Sequence, residues 1–183
     1  VASTKAYIAM LLFFVELSLH MSSKADLDRP KYQSLLKQLL SQGIKKQMQA
    51  IATRLAKLDH LYVVGRGDLV SIAQEAALKF KEIGYLHAEA IVSGEFKHGP
   101  LALISHNTSV LVIKRADDLT IEYTIAEIKA RGGKPIVLDI PDLGLYSPLY
   151  GATAVHLISF YDSILKGINP DMPRNLAKSV TVK

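Results

Sequence analysis

The sequence predicts an α/β fold: a parallel sheet with helices on both faces, preceded by two helices. Two observations carry this prediction. From Asp59 onward, short apolar runs of strand length alternate with runs of helix length, a pattern that needs crossover connections between parallel strands. A chain of 183 residues, 49% hydrophobic and 21% charged, is also long and apolar enough to bury one such core.

In chain order, the first element is an apolar helix over residues 4–23 with Ser3 or Thr4 as its N-cap. Its apolar stretch, 6–19, is shorter than the roughly 18 residues a membrane span needs and is interrupted by Glu16, so a buried helix is expected and no membrane partner. A polar link over 25–30 ends at Pro30, and 34–58 reads as one long amphipathic helix. Then come a buried strand at 61–64, a helix at 68–83, a strand at 109–113 and a helix at 119–130 with Gly132 and Gly133 as C-cap and turn. A third strand at 135–139, an irregular link over 141–148 and a helix at 149–165 complete the array. The tail, 169–183, contains Pro170, Pro173 and the polar pair Arg174-Asn175, and is not a core element. The expected division is 1–58, 59–167 and 168–183.

Composition narrows the chemistry. Without cysteine the chain offers no disulfide, thiolate metal site or cysteine nucleophile. The net charge of +5 is spread over several segments with no interleaved aromatic residues, so solvated helix faces are expected rather than a nucleic-acid surface. The same charge suits an anionic small molecule. The chain opens on Val1 and runs into the apolar segment without a leader-like region, which reads as a start inside a longer, cytoplasmic protein.

Three segments hold candidate chemistry. Gly65-Arg66-Gly67-Asp68 lies at a strand-to-helix turn, where open parallel sheets bind ligands, but it lacks the third glycine of the dinucleotide fingerprint. Asp68 there is either a helix N-cap or a ligand group. Arg66-Gly67-Asp68 also matches a cell-adhesion tripeptide, which a tight turn would not present. On the next helix, Glu75, Lys79 and Glu82 fall at i, i+4 and i+7 and share one face. They are either an exposed ion pair of little energetic weight or, bordering a pocket, two carboxylates around an ammonium able to tune a general base. In the loop Ser93-Gly94-Glu95-Phe96-Lys97-His98-Gly99-Pro100, the glycines and proline give His98 a rigid backbone that could aim a titrating side chain. His20, His60, His106 and His156 are expected to be surface residues.

The runs Glu75-Ala76-Ala77-Leu78-Lys79-Phe80-Lys81-Glu82, His87-Ala88-Glu89-Ala90 and Gly94-Glu95-Phe96-Lys97-His98-Gly99-Pro100-Leu101-Ala102 resemble the isomerase portion of the glutamine–fructose-6-phosphate aminotransferase family. The terminal run Pro173-Arg174-Asn175-Leu176-Ala177-Lys178-Ser179-Val180-Thr181-Val182 is the most specific part of the match, and Val1 to Ala6 resembles the stretch that closes that family's first sugar-isomerase (SIS) repeat.

The resemblance implies an SIS-type, flavodoxin-like sheet in 59–167, a helical segment 1–58 closing the preceding repeat, and a catalytic tail, 168–183. It implies that Glu82 moves a proton between C1 and C2 of an open-chain sugar, that His98 assists ring opening in a neighbouring subunit, and that Lys178 forms an imine with the sugar carbonyl. Glu75 and Lys79 would complete the pocket, and Val1, Ser3, Ala177, Arg174 and Asn175 would line the sugar. The implied ligands are fructose 6-phosphate and glucosamine 6-phosphate, and the implied partners are a second copy of the chain, a glutaminase domain and the first SIS repeat. No cofactor or metal is implied. The alternative is a non-catalytic SIS module that binds a sugar phosphate. After Gly133 there is sequence for one strand where the family has room for two, so either a strand is missing or a segment has dropped out.

Overall fold

The computed structural model describes residues 2–22 and 29–177. Four strands, β1 (His60–Gly65), β2 (His87–Val92), β3 (Ser109–Arg115) and β4 (Lys134–Ile140), form one sheet in the order β2-β1-β3-β4. All adjacent pairs are parallel, with His60 opposite His87, Tyr62 opposite Val110 and Ser109 opposite Lys134. The helices are α1 (Thr4–Met21), α2 (Arg29–Leu39), α3 (Gln42–Leu55), α4 (Leu69–Gly84), α5 (Leu119–Ala130) and α6 (Ser147–Leu165). The predicted α/β class, with a parallel sheet covered on both faces, is what the chain forms.

The strands are apolar on both sides because both faces are covered. Val63, Leu111, Ile113, Leu138 and Ile140 are buried with α3, α4 and α6 on one face, and Val64, Val110 and Val112 with Ile121, Ile125 and Ile128 of α5 on the other. Asp118 caps α5, its carboxylate accepting from the backbone N–H groups of Thr120 and Ile121 at 3.0 and 3.3 Å.

Three expectations need correction. β2 was not foreseen as a strand: His87-Ala88-Glu89-Ala90 alternates polar and small residues, and pairing with β1 rather than local hydrophobicity makes it one. The single helix expected over 34–58 is two, broken at Leu40 and Ser41, with the Ser41 N–H turning back to the Gln38 carbonyl at 3.0 Å. Helix α1 has no buried residue. Tyr7, Ile8 and Leu11 lean on the core beside α6, but apolar residues run round the whole helix, and Met10, Phe13 and Phe14 stay more than half exposed because one neighbour covers only one side. Among the described residues α1 is also the one helix long and apolar enough to cross a membrane by length and composition. Residues 134–147 hold the single strand expected there and one 3-10 turn, Gly144–Tyr146, and among the described residues the sheet ends at β4.

Candidate active site

The turn from β1 into α4 is tight. A Cβ on Gly65 would sit 2.5 Å from the Leu69 carbonyl oxygen, so only glycine lets the strand end this close to the helix. Asp68 stands at the N-cap position but makes no side-chain cap bond; its carboxylate accepts from Arg115 Nη2 at 2.6 Å instead. Arg66 pairs with Asp118 at 3.4 Å. Two partly exposed ion pairs thus lie at the ends of β1 and β3.

The face of α4 carrying Glu75, Lys79 and Glu82 is not the exposed pair that spacing alone allows. Glu75 and Lys79 are 5% and 3% exposed. The Lys79 ammonium donates to Glu82 Oε2 at 2.6 Å and lies 3.6 Å from Glu75 Oε1, which accepts from His156 Nε2 at 2.7 Å. A row of four side chains, His156, Glu75, Lys79 and Glu82, thus runs from α6 along α4. Stripping water from such charges is costly, and deleting one partner strands another in a low dielectric, at about 3–5 kcal/mol. Tyr7 packs edge-on against the His156 ring at 5.8 Å, and its phenol is held above its ordinary value by burial first and the Glu75 charge second.

Glu82 is the member of the row that faces the tail segment Arg174–Leu176. It lines a cleft of about 410 Å³ with Tyr85, His87, Arg174, Asn175 and Leu176. α4 ends there because Tyr85 takes a left-handed backbone, φ 50°, and the Leu86 N–H turns back to the Phe80 carbonyl at 3.0 Å. The same tyrosine holds the tail: the Arg174 N–H donates to Tyr85 Oη at 2.6 Å, and the Arg174 guanidinium lies 4.3 Å from the ring centroid.

The structure thus brings together Glu75, Lys79, Glu82, Arg174 and Asn175 of the residues singled out in the sequence. His98 is exposed on the loop after β2, where Gly99 adopts φ 134°, and does not line the Glu82 cleft; nor do Ser3 or Ala177. Val1 and Lys178 lie outside the described residues. His156, expected at the surface, is instead mostly buried against Glu75; a lone titratable side chain between Ala154-Val155 and Leu157-Ile158 of α6 was the available signal. Tyr85 and His87 were passed over because nothing local marks them. Among the described residues no group of three or more histidines, cysteines and carboxylates could hold a metal ion.

Comparison with known proteins adds to this geometry. The SIS domain family model matches residues 54–148. The glutamine–fructose-6-phosphate aminotransferase (isomerizing) of Escherichia coli K12 is 36% identical over 212 aligned positions, covering 100% of this chain and 34% of the relative. That of Vibrio vulnificus YJ016 is also 36% identical, covering 100% of this chain and 35% of the relative. The chain spans about a third of the length of these relatives, and an alignment of 212 positions against 183 residues includes positions that this chain lacks. Among solved structures, the carboxy-terminal domain of the Francisella tularensis glucosamine-fructose-6-phosphate aminotransferase superposes with a TM-score of 0.65 at 33% identity, over 71% of this chain and 42% of that one. A Thermotoga maritima glucosamine-6-phosphate deaminase gives a TM-score of 0.71 over 97% of this chain and 57% of that one; at 21% identity it speaks for the fold alone.

Proposed function

The chain belongs to the SIS domain family, and from that premise we propose that it is the carboxy-terminal isomerase portion of a glutamine–fructose-6-phosphate aminotransferase, acting on fructose 6-phosphate within a longer, cytoplasmic enzyme. The observation that carries this reading is the cleft of Glu82: a carboxylate fixed by a buried lysine, on one side of a space whose other side is the Arg174–Leu176 segment of the tail.

The chemistry follows from the groups present. The amine of Lys178 condenses with the C2 carbonyl of the open-chain sugar, releasing water, and the resulting imine acidifies the hydrogens at C1. Ammonia displaces the lysine from this imine, freeing the Lys178 amine and leaving a C2 imine of ammonia. Glu82 then takes one C1 proton and a proton returns at C2 as the C1 hydroxyl gives up its proton, which leaves the 2-amino aldose. Without ammonia the same transfer on the free ketone gives glucose 6-phosphate. Lys79 holds the carboxylate in place for the transfer, and the docked tail keeps water from the imine. His98 serves ring opening in the site of a second copy, consistent with its place on an exposed loop away from its own cleft. Residues 1–58 close and link a preceding SIS repeat, 59–167 form this repeat, and 168–183 are the catalytic tail. The exposed apolar side of α1 belongs against that preceding repeat rather than in a bilayer. Having no cysteine, the chain cannot supply a cysteine nucleophile for glutamine hydrolysis, and the piece alone is expected to be inactive.

Borohydride reduction of the full-length enzyme in fructose 6-phosphate tests this assignment. A sugar phosphate should be found bonded to Lys178 by peptide mass, and Lys178→Arg should abolish the adduct. An unmodified Lys178 under conditions of turnover would mean that the tail makes no imine and that the domain is a binding module.

A further inference from the structure

We propose that His156 is a positioning residue for the isomerase centre: by donating to Glu75 it fixes the carboxylate that keeps the Lys79 ammonium on Glu82. The proposal rests on Glu82 being the base. His156 reaches from α6 to α4, does not line the Glu82 cleft, and has a side chain 10% exposed. Its Nε2 lies 2.7 Å from Glu75 Oε1. An ionised carboxylate only accepts, so Nε2 carries the proton and the tautomer is set.

Glu75 is 5% exposed, and among the described residues its other ionic partner is Lys79 at 3.6 Å, too long for a hydrogen bond. The histidine bond is therefore what orients this buried carboxylate. Lys79 makes its one short contact with Glu82, at 2.6 Å. Without the histidine donor, Glu75 has only the ammonium to turn to, and every step that Lys79 takes toward Glu75 is a step away from Glu82.

The surroundings hold the imidazole where it is. Tyr7 of α1 packs on the ring from one side. The ring also borders a cavity of about 540 Å³ whose wall is mostly apolar, including Ile8, Leu12, Leu157 and Phe160, with Lys5 and Asp171 as its charged members. The charged neighbours on α4 are Glu75 and, through it, Lys79. A purely structural His–Glu tie between two helices would show the same distances, so the test must read the reaction.

Full-length enzyme carrying His156→Leu, His156→Gln or His156→Asn is compared with wild type and Glu82→Gln in conversion of fructose 6-phosphate to glucose 6-phosphate. The Leu variant should lose about ten-fold or more in kcat with KM within about two-fold, because an orienting contact and not substrate binding is removed. The Gln variant keeps an N–H that reaches Glu75 and should recover to within about three-fold of wild type, whereas the shorter Asn should not. Should the Leu variant fail to fold, the Gln–Asn contrast decides alone. A Leu variant within about two-fold of wild-type kcat, or Gln and Asn variants equally impaired, overturns the proposal. Glu82→Gln separates the two claims: if it turns over like wild type, the reading of the centre has failed, and if it alone is dead, the role of His156 has.

Discussion

Tyr85 carries both contacts that bring the tail to the cleft, so it is where substrate capture can be tested without touching the proposed base. Tyr85→Phe keeps the ring under Arg174 and deletes the acceptor of the Arg174 N–H, a loss of about 0.5–1.5 kcal/mol. Steady-state kinetics of the full-length enzyme should show KM for fructose 6-phosphate raised about two- to ten-fold with kcat little changed, and an unaltered KM would mean that the tail docks without this bond. Asp162 tests electrostatics instead. It is fully buried with Lys166 at 2.9 Å on one oxygen and no partner on the other, and burial raises its pKa against the opposing pull of Lys166. A raised folded-state value means that its contribution to stability is whole below its ordinary value of 3.8 and is lost as pH climbs through the higher value in the fold. Asp162→Asn does not titrate, so its stability relative to wild type should rise as pH climbs above the ordinary value of 3.8 in denaturant unfolding; a constant difference would contradict this. At this scale the sequence showed which residues share a face of α4, because helical spacing is local. It could not show that Glu75 and Lys79 are buried, nor that His156 meets Glu75, since the two lie 81 positions apart and meet only when α6 packs on α4.

Among the elements, those with a strong local period were legible: residues 119–130 were expected as a helix and form α5 over the same span. β2 was not, because its alternation is too weak to stand without β1 beside it. The break between α2 and α3 was missed because neither Leu40 nor Ser41 is a strong helix breaker. The burial of α1 was misjudged because apolar composition tells what a helix needs, not whether the chain supplies it. The β1–α4 turn gives the sharpest test of packing here. Gly65→Ala places a methyl against the Leu69 carbonyl and should cost roughly 1–3 kcal/mol, read as a lower Tm; an unchanged Tm would show that the turn can open. For α1 the expectation is that full-length enzyme is recovered without detergent, its apolar side covered by the preceding repeat. Recovery only from a detergent-solubilised membrane fraction would favour the bilayer for this helix.

At the scale of the whole molecule, the SIS domain family model covers residues 54–148, and the chain spans about a third of the length of the relatives it matches. The cleft of Glu82 has a floor from α4 and an edge from the tail, and this chain's own His98 does not line it. If His98 acts across subunits, dimers mixing His98→Ala with Glu82→Gln protomers should regain about half the activity of a wild-type dimer, because one of the two sites then has both groups. Mixed dimers as inactive as either parent would place His98 in its own subunit's chemistry or in none. The central claim is narrower: that Glu82 is the base. It is tested most directly by the rate at which folded, full-length Glu82→Gln converts fructose 6-phosphate to glucose 6-phosphate. Loss of the general base should lower kcat by about 10²–10⁴ with the fold intact. A rate within a few-fold of wild type would contradict the account.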